Sequence, residues 1–167
     1  CIMSFTSSVD AALDALRNTS LPSELNAGLS ADALAAINPA LAKRKFPPLP
    51  EDYLYLLGKT NGCDGPGFYL YGIEHIDTAA GTIDGAIVEE AEDFNRDEAE
   101  DDIADKGHVL GHMYGRMMLV YRHGQYHVLD TDSRLPLADI YDDIGAFILS
   151  CIRSAEKKAS SAADSPH

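Results

Sequence analysis

Histidines, cysteines and an excess of carboxylates are the side chains here that could do chemistry. His108 and His112 lie four apart, as do His123 and His127. On a helix that spacing would let two imidazoles share a metal ion. The surrounding residues are β-prone, and on a strand positions i and i+4 share a face but sit roughly 13 Å apart, too far for one ion. A zinc site also needs three or four ligands and a supporting shell. The histidines therefore read as strand residues, partly exposed, and no metal or other cofactor is expected. Cys63, expected near the surface at a helix end, can be paired on paper with a remote histidine. No Gly-x-Ser-x-Gly elbow or phosphate loop accompanies it. Gly62, Gly65 and Gly67 follow a helix and precede a strand, the reverse of the order a dinucleotide loop needs, and read as a tight turn. Asp130 and Asp132 read as turn formers rather than a catalytic pair.

The carboxylates carry a stronger signal through their distribution. The chain has 167 residues, 27 acids and 13 bases, for a net charge of −14. Residues 89–105 hold ten acids (Glu89, Glu90, Glu92, Asp93, Asp97, Glu98, Glu100, Asp101, Asp102 and Asp105) against Arg96 alone. Like charges at i, i+3 and i+4 oppose a helix by a few tenths of a kcal/mol each. One reading is a solvated helix face or loop. The sharper one is a surface awaiting a basic partner, which its field would steer in. A calcium site is weaker, because no EF-hand spacing with its central glycine is present. Such a surface repels nucleic acid and anionic membrane, so neither is expected as a partner.

These residues need elements to position them. Residues 49–76 read as helix, glycine turn and strand with little slack. Glu51 and Asp52 place negative charge in a first helical turn. Leu49, Tyr53, Leu56 and Leu57 share one helical face. Asn61-Gly62 stops the helix, and Phe68 to Tyr71 is an aromatic β-prone run. Upstream, Ser7 or Ser8 caps a helix over 9–18, and 18–28 connects it to the next. Ser30 caps a short helix over 31–37, and Asn38-Pro39 signals a second start. Downstream, 77–84 is expected as a small-residue loop and 86–94 as a helix, with Ile87, Ala91 and Phe94 on one face. Strands are expected over 108–114, 117–122 and 125–130, the last two joined by His123-Gly124 as a hairpin. Ile140, Ile144, Phe147, Ile148, Cys151 and Ile152 mark a closing helix. Residues 157–167 read as a disordered tail. The expected fold is one α+β domain over 31–156, a mostly antiparallel sheet flanked by helices, with 1–30 as a helical extension.

Composition bounds the rest. Hydrophobic residues make up 46% of the chain, enough for a globular core. No apolar run approaches the roughly 20 residues that span a bilayer. The start lacks a basic and apolar export signal. Met3 reads as the natural start and Cys1-Ile2 as a remnant ahead of it, although a leading cysteine is also what a processed lipoprotein carries. Three widely spaced cysteines are not a disulfide framework, which fits a reducing cytoplasm.

Leu49-Pro50-Glu51-Asp52-Tyr53, Leu56-Leu57, Asn61-Gly62 and Phe68-Tyr69-Leu70-Tyr71-Gly72 together resemble the SUKH superfamily, named for the yeast Smi and Knr cell-wall regulators. The runs HVLG at 108–111, 118–122 and 126–130, and the closing helix, fit the same pattern over residues 35–155. The likeness is nearest to the bacterial YrhA-like branch. It implies an α+β fold and a cytoplasmic immunity protein, not an enzyme, that binds and neutralises a cognate secreted toxin by occluding its active site. Such toxins often act on nucleic acid and are commonly basic, which agrees with the acidic segment. The superfamily offers no catalytic residues to transfer. The candidate contact residues are therefore Glu89, Glu90, Glu92, Asp93, Asp97, Glu98, Asp101, Asp102 and Asp105, with Tyr69, Tyr71 and Tyr114 as aromatic contacts unless they are core. The rival readings are a regulatory or scaffold domain of the same type without a toxin partner, and a metal-dependent hydrolase built on the histidines.

Overall fold

Two neighbouring side chains, Asp52 and Tyr53, tie together elements far apart in the chain. The computed structural model describes residues 4–96, 102–137 and 139–163. Its elements are helix α1 (Phe5–Asn18), strand β1 (Glu24–Leu25), helices α2 (Ala31–Lys43) and α3 (Glu51–Lys59), and strands β2 (Cys63–Gly65) and β3 (Phe68–Leu70). A hairpin of β4 (His75–Asp77) and β5 (Thr82–Asp84) leads into helix α4 (Ala86–Asn95), and a 3-10 turn follows at Ile103–Asp105. Strands β6 (His108–Met113), β7 (Met117–Arg122) and β8 (Gln125–Asp130) precede the closing helix α5 (Ile144–Ala163). The six-stranded sheet runs β1-β2-β3-β6-β7-β8, antiparallel throughout, and β4–β5 form a separate two-stranded sheet. The fold is the expected α+β domain with a closing C-terminal helix.

The sheet has two unlike faces. On the inner face Phe68, Leu70, Leu110, Leu119, Tyr126 and Val128 are buried in one core with the apolar stripes of α1, α3 and α5. Tyr53 Oη donates to the carbonyl oxygens of Tyr71 and Leu110, joining α3 to the sheet. Asp52 Oδ2 accepts from Tyr126 Oη at 2.7 Å and from the Ile144 amide at 2.8 Å. It thereby joins α3, β8 and the first residue of α5, and burial pushes its carboxyl above the ordinary aspartate range. On the outer face Val109, Met118 and Val120 form a smaller cluster with Phe94 of α4. Val109 faces the outer cluster and its neighbour Leu110 the inner core, and the register shift between Val109 and Gly111 returns His112, three residues after Val109, to the outer face.

Several boundaries differ from the sequence expectation. Helix α1 is capped by Ser4, not Ser7 or Ser8. Ser8 instead is buried and donates to Asp143 Oδ1 at 2.7 Å, pinning α1 to the start of α5. Val9, Ala12, Leu13 and Leu16 lie in the main core, and β1 joins the sheet, so residues 5–25 share the core of the domain. Asn38-Pro39 does not restart a helix: α2 runs through it, and Asn38 Oδ1 accepts from the Leu49 amide at 2.9 Å. Burial of Ile37, Ala40 and Leu41 on both sides of the proline offsets the helical bond it cannot donate. The 77–84 stretch is the β4–β5 hairpin with a fully buried Ile83, formed from strands too short to show alternation. Ile140 precedes α5 and is exposed, and the helix runs on to Ala163 where a disordered tail was expected. Alanine, lysine and glutamate are good helix formers, and the preceding apolar turns anchor that extension.

The reactive groups are also placed differently. Cys63 is buried on the inner face, paired in register with Leu70, and its thiol is pushed up to about 12 by burial. A thiol in that state is a core residue, not a nucleophile. His108 is buried, not partly exposed. Its Nε2 donates to the Pro47 carbonyl at 2.7 Å, Nδ1 has no partner among the described residues, and burial lowers its pKa.

Candidate interaction surface

The outer face is open where α4 does not cover it. Cross-strand register lays one row across it: Glu24 opposite Asp64, Asp64 opposite Tyr69, Tyr69 opposite His112, and His112 opposite Met118. Directly opposed side chains share a face, so the row runs from two carboxylates through two rings to an apolar end. Tyr71 continues the face. Tyr69 stacks on His112 with centroids 5.5 Å apart, and the Tyr69–Tyr71 and Tyr71–His112 separations are 5.7 and 5.8 Å. The Tyr71 hydroxyl lies 3.1 Å from His112 Nδ1. These three rings form a mutually contacting triad, with Tyr69 40% exposed.

Two depressions flank this row. One, of about 270 Å³, is lined by Tyr69, Tyr71, Glu74, Asn61 and Ala86, with Gly72 and Ile73 completing it. Glu90 lies one helical turn beyond Ala86 on α4. Its carboxylate is near enough to help push the Tyr71 hydroxyl up to about 12, after burial as the larger cause. The other, of about 300 Å³, is lined by Glu24, Asp64, Pro66 and Tyr114 with neighbouring backbone. Tyr114, at the β6–β7 turn, is 71% exposed.

The structure divides the acidic segment. Glu92 is held by Arg44 at 2.9 Å, and the same guanidinium reaches Asp84 at 3.0 Å, bracing α4 against the β5 end. Asp93 lies 3.6 Å from Arg96. Asp102 accepts from the Ala104 amide as a local cap. Asp105 Oδ1 lies 3.1 Å from His123 Nε2, and its carbonyl accepts from Arg122 Nε. Among the described residues Glu89 and Glu90 have no ion pair, and neither do Glu24, Asp64 and Glu74. Asp97, Glu98 and Asp101 lie outside the described residues. Of the sequence-derived candidates, then, Tyr69, Tyr71 and Glu90 come together, and Tyr114 joins the second depression. Glu92, Asp93 and Asp105 already have bases beside them.

Sequence reasoning missed His112 as a ring partner, along with Glu24, Asp64 and Glu74. Strand alternation would have turned His112 to the face of Leu110; it shares a face with Val109 only through the bulge, and its partner Tyr69 is a register neighbour 43 positions away. Glu24 and Asp64 are isolated acids whose juxtaposition exists only in the sheet. Asp130 serves the turn expected of it, accepting from the amides of Asp132 and Ser133. No group of three or more His, Cys, Asp or Glu side chains among the described residues is placed to hold a metal ion. No helix among them is long and apolar enough to cross a membrane. No family model matches the chain, and no curated protein or solved structure matches it either.

Proposed function

We propose that this chain is a cytoplasmic immunity protein of SUKH type that neutralises a basic toxin by stoichiometric binding rather than catalysis. The observation that carries the reading is the ring triad Tyr69–Tyr71–His112 on an open sheet face, bordered by carboxylates that have no ion pair among the described residues. A free carboxylate beside exposed rings suits a cationic, partly apolar partner surface: rings supply short-range fit, and charge supplies steering. The toxin's positive cleft, built for an anionic substrate such as nucleic acid, would be filled by these acids and closed to that substrate. The residues of the 49–59 motif support this role indirectly. Asp52 and Tyr53 are spent on holding helices and sheet together, which leaves recognition to the outer surface.

Co-expression with the product of the adjacent gene tests the proposal. Relief of that product's toxicity, with a stable complex on purification, is expected. Unrelieved toxicity with no complex would remove the immunity reading. A quadruple variant, Glu89→Gln, Glu90→Gln, Asp93→Asn and Asp102→Asn, should slow association and flatten its salt dependence. Unchanged association kinetics would remove α4 and the turn after it from the mechanism.

A further inference from the structure

We infer that the outer face carries two seats for guanidinium groups, one at Tyr69–Tyr71–Glu74 and one at Glu24–Asp64–Tyr114, and that the partner fills them with arginine rather than lysine. This rests on the reading of the chain as the binder of a basic protein, and it names what that protein presents.

Each depression combines the same two chemistries. The first has two tyrosine rings and the carboxylate of Glu74, with Glu90 close to Tyr71. The second has the exposed Tyr114 ring and the paired carboxylates of Glu24 and Asp64. Among the described residues no lysine or arginine lines either depression. A carboxylate beside a ring is the arrangement a planar guanidinium satisfies twice, by stacking on the π face and by bidentate hydrogen bonds to the acid. An ammonium group makes a point contact and gains less from the ring.

Glu24 and Asp64 provide a second, independent argument. They are directly opposed across antiparallel strands, a placement that destabilises a sheet when the charges are alike. Neither has a base within ion-pair distance among the described residues. A cation seated between them would relieve that repulsion. Asp64 is in turn opposite Tyr69, so the two seats adjoin along one register row and one basic surface could fill both.

Titration of the isotope-labelled full chain with blocked oligoarginine and oligolysine peptides of equal length tests this by NMR. Oligoarginine is expected to give saturable shifts at the Tyr69, Tyr71 and Tyr114 rings and to bind about tenfold more tightly than oligolysine. Tyr69→Ala should weaken oligoarginine binding about tenfold and leave oligolysine nearly unchanged. Tyr69→Phe keeps the ring and should bind like the unmodified protein, which also guards against loss of fold as the cause. Equal affinity for both peptides, or shifts centred on residues 89–105 with the tyrosine rings unmoved, would overturn the seats. The same variants in co-expression separate the two readings. If the adjacent gene product binds Tyr69→Ala as well as the unmodified protein, the seats are wrong and the immunity reading stands. If arginine selectivity holds while that product forms no complex, the seats stand and the immunity reading falls.

Discussion

The two faces of the sheet handle polar groups in opposite ways. On the inner face a buried carboxylate, Asp52, has two donors aimed at it, and the Tyr53 hydroxyl reaches two carbonyls. On the outer face Glu24 and Asp64 oppose each other with no base among the described residues, and Tyr69 stands part-exposed beside them. A polar group removed from water must be satisfied within the fold. One left in water need not be, and its charge remains available to another molecule. The contrast teaches where stability and recognition are divided in this chain. Substitutions on the inner face should act on folding, and those on the outer face on binding.

The sharpest break of that contrast is Asp52→Ala. It leaves the Tyr126 hydroxyl and the Ile144 amide buried without an acceptor, and should cost about 3 kcal/mol. Urea unfolding at neutral pH measures this; a loss under about 1 kcal/mol would mean the two bonds are not a structural hub. Next comes Gly111→Ala. A Cβ there would run into the Tyr69 carbonyl across the β3–β6 pair, so a loss of about 2 kcal/mol is expected. Because the same pair aligns Tyr69 with His112, altered tyrosine ring shifts should accompany it. Unfolding free energy and tyrosine NMR on one sample would reveal whether the two faces are coupled at this contact.

The pH dependence should divide between two buried groups, His108 and Asp52. Burial lowers the His108 pKa, so neutral His108 adds stability at pH values above the ordinary histidine range. That contribution is lost as pH falls from there through the lowered folded value. His108→Gln should therefore flatten the acid limb of the stability profile. Asp52 has the opposite sign. Its folded pKa is raised, so its contribution is fullest below the ordinary aspartate range and declines as pH rises through the raised value. Asp52→Asn should gain on the unmodified protein over that rise. Urea midpoints taken across the acid range check both, and parallel profiles would refute the burial argument for either group.

The smallest effect is expected from Asp64→Asn. Removing one of two opposed like charges should raise stability by about 0.5 kcal/mol while weakening binding to a cationic partner. A thermal melt and an affinity measurement on the same variant read the two signs. A variant that loses stability would mean that Asp64 serves the sheet rather than the surface.

Local rules made much of the scaffold legible. The stripe Leu49, Tyr53, Leu56 and Leu57 is buried as its spacing implied, and Ser30 caps α2. The His123-Gly124 hairpin also formed where a two-residue connection suggested it. The failures were places where distant packing outweighed a local signal. Pro39 passed through a helix because residues on both sides are buried in the core. Cys63 went inside because its strand pairs Leu70. The β4–β5 hairpin escaped notice because three residues are too few to show a period. The acidic segment was visible as charge, but which acids already have a base was not. Arg44 answers for Glu92 from 48 positions away, and His123 meets Asp105 from 18.

The sequence by itself determined the helical stripes, the hairpin, the excess of acid and the α+β class. Each depends on spacing within a few residues, or on counts that no fold can change. Only the tertiary structure decided that Asp52 is a buried hub, that Tyr69, Tyr71 and His112 meet, and that Glu24 faces Asp64. Those facts depend on strand register and helix docking, which bring together groups tens of residues apart. Register is the physical reason: a slip of one residue would turn Tyr69 and Asp64 to the other face, leaving composition untouched and the surface gone.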